Sequence, residues 1–439
     1  MSKNNKSTVR HTRAIQRDRS KKPLAAPPDE KIEQRLTELL QPAIAAQRPL
    51  YKELGLRERV LTLSVVAAIV ISLVWRQIGS GSSEAARLLE SEGMLWVSAL
   101  VVSQQAISDR LLVFPPILFL NILLHILPLL HQRWQARQRP LSPVLAWAKA
   151  RYSAVWVADG STLDALLRKV GLRREDETFP LAGKMMALLD VCSSLPQHLW
   201  YEEDAAAHDQ RFWPQIIKAL PEGALLLFDL GFTNFAVFAQ LTLAHCTFIT
   251  RAKSNLAFRT VCDNACTAQV RDLLGWIGSG ATRQLIRLVK VYHQGTWYCF
   301  LTNELNPLRL PSEYIVVLYR LRWRIEDAFN LVKRLLGLAY FWVGSQRGVL
   351  LQVWTTWILY AIAVDLTDDV AEALNRPADN LSVEMVYRGL YYFAQALQRG
   401  EAQDPVTYLA DNAKWLGIIK HRRKEPIYLC PSLTNLNGP

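Results

Sequence analysis

Three carboxylates and one basic, aromatic stretch carry the chemistry open to this sequence. Asp159 closes the apolar run 154–158 and precedes Gly160, Ser161 and Thr162; Asp229 closes a second run, 224–228, and precedes Gly231. In an open α/β sheet such strand ends form one rim, where ligands bind. Taken singly, each aspartate could as well be a helix cap or a turn residue. The third carboxylate, Glu326, lies in a helical pattern starting at Glu313, where Tyr319, Arg322, Glu326 and Lys333 fall within about 60° of one another at 100° per residue. A surface ion pair between Arg322 and Glu326, four positions apart, is the plainer reading of that spacing.

Three carboxylates at one rim repel, by about 4 kcal/mol per pair at about 4 Å and an effective dielectric near 20. Such a site takes up cations or protons. Hard oxygen donors with no His or Cys cluster beside them favour Mg²⁺ or Mn²⁺. Two such ions about 3.5–4 Å apart can clamp the attacking and leaving oxygens of an in-line displacement.

The elements that must position these groups follow from the patterning. From residue 151 the sequence predicts an α/β fold: strand 154–158, a hairpin of 184–191 and 197–201, helix 210–220, strand 224–228, a helix to about 244, and strand 246–250 leading into Arg251 and Lys253. That order describes a mixed sheet covered on both faces. Residues 251–311 break the rhythm as a β insertion with strands 284–292 and 296–301, turned at Gln294 and Gly295. Long amphipathic helices are expected over 313–338 and 349–374.

The expected domains are a basic arm and linker, 1–29; a helical DNA-binding domain, 30–150; a catalytic domain, 151–375, with its insertion at about 251–311; and a helical, then irregular tail, 376–439. In the helical domain, 84–90 and 103–112 could form a helix-turn-helix with Gln104, Gln105, Ser108 and Arg110 facing DNA, or simply a solvated helix face. The joint at 23–29 holds Pro23, Pro27 and Pro28, and a second basic cluster spans Lys420 to Lys424.

The net charge of +12 favours polyanionic partners, and residues 1–22, with eight Lys and Arg against Asp18, supply +7 of it. Six scattered cysteines do not form an extracellular disulfide framework, and Cys262 and Cys266 lack the second pair that a zinc site needs. The polar N-terminus carries no secretory signal. The apolar stretches 60–75 and 111–130 read as buried helices, the first too short for a span and the second interrupted by Pro115, Pro116 and Pro128. A cytoplasmic protein without membrane partners is expected.

The pattern Tyr319-x2-Arg322-x3-Glu326-x6-Lys333 resembles the Tyr-Arg-Glu-Lys signature of the insertion-sequence-4 family of bacterial DDE transposases. Asp159 in Asp-Gly-Ser-Thr and Asp229 in Asp-Leu-Gly-Phe look like that family's first and second catalytic aspartates. The family usually has Arg and Tyr where this chain has Leu230 and Phe232. The resemblance covers roughly residues 150–370 and implies a ribonuclease-H-like core that holds two metal ions on Asp159, Asp229 and Glu326.

It further implies cleavage at terminal inverted repeats, a hairpin intermediate and joining of the 3′ ends to target DNA, by a protein at least dimeric on its double-stranded DNA. Tyr319, Arg322 and Lys333 would hold phosphates, and a Trp of the β insertion would stack on a flipped base. Trp297 is the first candidate, with Trp276 and Trp323 behind it, although a Trp is as readily core. Arg251 and Lys253 are further DNA-binding candidates. The alternatives are a metal-dependent structure-selective nuclease on the same core and an inactive DNA-binding remnant.

Overall fold

The computed structural model describes residues 29–76, 78, 81–162, 183–204, 207–293, 295–334 and 345–420. The basic arm, its linker prolines and residues 421–424 of the second basic cluster lie outside them. From Asp29 the chain runs through α1 (Glu30–Ala45), α2 (Arg48–Glu53), α3 (Leu63–Trp75), α4 (Ser82–Ser91), α5 (Gln104–Val113), α6 (Ile117–Ala136) and α7 (Pro143–Lys149). Then come β1 (Val155–Thr162), β2 (Lys184–Asp190), β3 (Pro196–Glu202), α8 (Trp213–Ala219), β4 (Leu225–Phe228), α9 (Phe235–Leu243) and β5 (Thr247–Arg251). β6 (Arg259–Cys266), β7 (Val270–Ile277), β8 (Gln284–His293) and β9 (Thr296–Thr302) precede α10 (Ser312–Arg320) and α11 (Trp323–Arg334). α12 (Gln346–Ala373), α13 (Val383–Gln398) and α14 (Pro405–Asp411) complete the order.

Two compact units result: a helical one drawn from both ends of the chain, including residues up to Pro140 and from Asn330, and an α/β one built on Leu141–Ala165 and Ala182–Phe329. The helical unit therefore takes α12, which the sequence pattern had assigned to the catalytic domain.

In that unit α12 packs against α3, α5, α6, α13 and α14. It is buried nearly all round, not amphipathic as expected, because helices cover every side of it. Both α6 and α12 are long and apolar enough to cross a membrane by length and composition, and 94% of the apolar window of α12 lies inside the protein. This helix also carries charge into the core. Asp365 accepts from Arg35 at 2.7 Å and from Arg137 at 2.6 Å, and Asp368 pairs with Arg139 on two sides. Buried carboxylates persist only where such partners satisfy them. Elsewhere in the unit, Arg110 on α5 donates to the Tyr51 hydroxyl at 2.6 Å and lies 5.3 Å from the Phe114 ring, so it is held by its own unit, whereas Gln104 and Gln105 are exposed.

The α/β unit is organised by a nine-stranded sheet in the order β3-β2-β1-β4-β5-β9-β8-β7-β6. β1, β4 and β5 are parallel, and the other neighbours are antiparallel. This mixed α/β arrangement is compatible with a ribonuclease-H-like fold. Alternation sends Trp156 and Ala158 of β1, Met186 and Leu188 of β2, and Leu226 and Phe228 of β4 to one face, where they meet Trp213 and Ile216 of α8 and Phe238 of α9 in a single core. Val155 and Val157 point to the other face, and α10 packs against β5 and β8 and against α7.

The β insertion has four strands where the sequence pattern gave two, and they extend the main sheet beyond β5. β6 is exposed along its whole length and shows no apolar alternation, which is why it reads as loop. A buried ion pair anchors the insertion to the start of α10. Arg287 Nε donates to Asp272 at 2.8 Å and its Nη1 to the Leu310 carbonyl at 2.6 Å, while the Ser312 hydroxyl donates to Asp272 at 2.6 Å. Burial raises the proton affinity of Asp272, and the bonds from Arg287 and Ser312 more than reverse it, so its pKa lies below the ordinary value.

Candidate active site

Strand register brings the two aspartates together. Ala158 of β1 and Phe228 of β4 are the last paired residues of adjacent parallel strands, so Asp159 and Asp229 follow at the same level on chains about 4.8 Å apart. Since Ala158 and Phe228 face the core of α8 and α9, the alternation turns both aspartates to the opposite face. There they meet α10 and α11. The Tyr319 hydroxyl donates to Asp229 Oδ1 at 3.2 Å, Arg322 Nη1 to Asp159 Oδ2 at 3.3 Å, and Arg322 Nη2 to Glu326 Oε1 at 2.6 Å. All three carboxylates thus touch Tyr319 or Arg322, three residues apart.

The helix carrying these groups is broken. α10 ends at Arg320 and α11 starts at Trp323, with i→i−3 bonds from Leu321, Arg322, Arg324 and Ile325 across the join. The continuous helix from 313 is corrected accordingly. No Gly or Pro causes the break; it falls where Arg322, 6% exposed, is drawn between two carboxylates. The ion pair with Glu326 is present as the plainer reading required, but Arg322 also serves Asp159, so it is not a surface pair. Lys333 lies seven residues beyond Glu326 on α11, two turns along nearly the same face.

Burial dominates the electrostatics. The Asp159 carboxyl is pushed up to about 6, first by desolvation and then by Glu326 and Asp209, with Arg322 and the Gly160 amide pulling the other way. Tyr319 is held protonated well above the ordinary phenol range by burial and by Asp229. Burial opposes the charge of Arg322, but Tyr319 and the three carboxylates outweigh it and keep the guanidinium charged.

Among the described residues no three His, Cys, Asp or Glu side chains form a ready-made metal cage. The donor chemistry still fits a hard divalent cation. The site offers carboxylate oxygens from three segments, without a thiolate or imidazole, and Arg322 holds a positive charge against two of them.

The aromatic candidates divide by their surroundings. The Trp297 ring is covered by Arg271 at 5.2 Å and by Tyr292 at 5.3 Å, and Trp276 by Arg283 at 4.6 Å. Phe300 packs on Tyr319 with centroids 5.2 Å apart. Trp297, an odd number of residues earlier on β9, points to the other face. Trp323 is 59% exposed and 5.4 Å from the Arg322 guanidinium. Arg251, at the end of β5, lies 6.0 Å from the Tyr298 ring, and Lys253 lines a cavity of about 280 Å³ with Thr233, Phe235 and Asn255. Phe232 is buried against Trp213 and Phe228, so the position where the resembled family has Tyr is core in this chain.

Sequence reasoning missed Lys184 and Asp209. They pair at 2.7 Å directly beneath Gly160, and Asp209 is among the charges acting on Asp159. The one available signal was Gly160 itself, a residue without a side chain next to a candidate ligand.

Comparison with known proteins gives two similarities. Residues 175–362 match the family model described as "Transposase DDE domain", a range that includes Asp229 and Glu326 and begins after Asp159. A protein of Sinorhizobium fredii (strain NBRC 101917 / NGR234) named "Putative transposase y4zB" is 28% identical over 204 residues, which is 44% of this chain and 54% of that protein. The chain thus spans about half the length of the relative it matches. Both similarities are to transposases, one to their DDE domain and one to a protein named as a transposase.

Proposed function

We propose that this chain is a DDE transposase of the insertion-sequence-4 type, which cuts an insertion sequence at its terminal inverted repeats and joins the 3′ ends to target DNA. The observation that carries this reading is the meeting of Asp159, Asp229 and Glu326, from three distant segments, around Tyr319 and Arg322. The sheet order, with β1, β4 and β5 parallel and β2 and β3 antiparallel on one side, supports a ribonuclease-H-like core.

In this reading Asp159, Asp229 and Glu326 hold two Mg²⁺ or Mn²⁺ ions. When bound, such ions activate the attacking oxygen and stabilise the departing one. Tyr319, Arg322 and Lys333 then hold the phosphates that flank the cut, and Arg251 and Lys253 follow the backbone beyond it. Trp323 offers the more exposed ring for an unstacked base, and Trp297 the one on the insertion. The freed 3′-OH attacks the opposite strand to give a hairpin, which is reopened before joining to target DNA. Two ends must be held at once, which calls for a homodimer on DNA in the cytoplasm.

The test uses the DNA flanking the gene as substrate, with Mg²⁺ and a target plasmid. The wild type is expected to cut and join. Glu326→Gln is expected to keep DNA binding and lose cleavage by about 10²- to 10³-fold, the scale for a group acting on the transition state. Normal cutting by that variant removes Glu326 from the site, and cutting without joining makes the protein a nuclease.

A further inference from the structure

The segment Ala207–Trp213 contacts the surroundings of both aspartates from the face opposite to their side chains. Lys184 opens β2 and is in register with Thr162, two residues past Gly160 on β1. It is buried, and its Nζ lies 2.7 Å from Asp209 Oδ1 and donates to the Ala207 carbonyl at 2.8 Å. This pair rests on bare backbone. A Cβ placed on Gly160 would stand 2.1 Å from Asp209 Oδ1 and 3.0 Å from Lys184 Cε, so no other residue fits there without expelling Asp209.

The same segment grips the loop that follows Asp229. Gln210 Nε2 donates to the carbonyls of Gly231 at 3.2 Å and Thr233 at 3.1 Å, and Trp213 Nε1 donates to the Phe232 carbonyl at 3.3 Å. One end therefore bears on the residue after Asp159 and the other on residues two to four places after Asp229. The β1–β4 pairing that levels the two aspartates ends one residue before each, at Ala158 and Phe228, and beyond that point this segment supplies contacts to both strand ends.

We infer that Ala207–Trp213 is a bracket that fixes the separation of Asp159 and Asp229, with Asp209 and Gln210 as positioning residues for the two ligands. The inference rests on the proposed function, and it places a requirement outside the Tyr-Arg-Glu-Lys helix pair. A cation shared by two carboxylates tolerates little error in their spacing, and groups that orient ligands typically contribute about 10- to 100-fold to affinity.

The test is Mn²⁺ binding by the full chain, followed by electron paramagnetic resonance, for the wild type, Asp159→Asn, Asp209→Asn, Gln210→Ala and Gly160→Ala, with thermal unfolding recorded for each. Asp209→Asn and Gln210→Ala are expected to bind Mn²⁺ about tenfold more weakly or worse at temperatures far below their unfolding midpoints. Gly160→Ala should match Asp209→Asn, since its methyl group displaces that carboxylate. A merely structural role would lower the midpoint and leave the affinity of the folded protein unchanged. Should Asp209→Asn fail to fold, Gln210→Ala, which removes only one partly exposed amide, decides the matter. Unaltered affinity in the folded bracket variants, with binding lost in Asp159→Asn, overturns the bracket and leaves the carboxylate site standing. Binding that ignores Asp159→Asn overturns the site, and the bracket with it.

Discussion

Arg322 reaches across 163 positions of sequence to place Nη1 3.3 Å from Oδ2 of Asp159. Its other terminal nitrogen is on Glu326, so a cation and this guanidinium would compete for the same oxygens. A unit charge at about 4 Å is worth about 4 kcal/mol at an effective dielectric near 20, which is ample for a measurable effect. Arg322→Met is therefore expected to bind Mn²⁺ about tenfold more tightly than the wild type when no DNA is present, while cutting DNA more slowly. Titration calorimetry reads the first effect and a cleavage assay the second. Weaker Mn²⁺ binding by this variant would show that Arg322 supports the ligands and does not compete for them.

Protons are a second competitor. Desolvation pushes the Asp159 carboxyl up to about 6, and a cation takes only its ionised form. The affinity for Mn²⁺ should be level above that pH and fall by about tenfold per unit below it. The linkage to stability has the opposite slope. With a folded value raised above the unfolded one, Asp159 makes the cation-free protein less stable as pH rises from about 4 to about 6. Mn²⁺ titrations from about pH 5 to 8 check the first statement and urea unfolding from about pH 4 to 7 the second; an affinity independent of pH would place the binding elsewhere.

How far the site was legible depended on the distance over which each signal acts. Asp159 and Asp229 could be read because an apolar run followed by Asp-Gly or Asp-Leu-Gly is local. Glu326 could be read from spacing within one helical segment, yet the break between Arg320 and Trp323 could not, because the long-range pull of Asp159 and Glu326 on Arg322 coincides with it and no local breaker does. β6 was invisible because an exposed edge strand needs no apolar face. α12 was misread because its Asp365 and Asp368 mimic a polar stripe, and only their arginine partners on distant helices make them interior residues. Asp209 and Lys184 carry no local pattern at all.

The N-terminal charge gives a prediction independent of the site. Residues 1–22 supply +7 of the +12, and each phosphate neutralised by such a side chain releases counterions. Deleting them should weaken binding by a similar factor on any DNA sequence and flatten the dependence of log K on log salt. Each lost contact reduces that slope by about 0.9. Fluorescence anisotropy on two unrelated duplexes between 50 and 200 mM salt, as about the range where such contacts dominate, makes the measurement. A loss confined to one duplex would mean that the arm reads sequence.

The carboxylate core of the helical unit sets its acid limit. Asp365 has no exposed side-chain surface, and although burial alone would raise its pKa, Arg137 and Arg35 hold it below the ordinary value. A depressed folded value means that its contribution is complete above the unfolded-state pKa of about 3.9 and is lost as pH falls through the folded one. Asp365→Asn leaves three arginines, Arg35, Arg133 and Arg137, facing a neutral amide, and breaking a buried pair on one side costs about 3–5 kcal/mol. The variant should unfold at lower urea at pH 7 and show a shallower loss of stability below pH 4, because the group that titrates there is gone. If Asp365→Asn loses less than about 1 kcal/mol at pH 7, the pairs that Arg35 and Arg137 make with Asp369 and Asp368 suffice to hold α12 without Asp365.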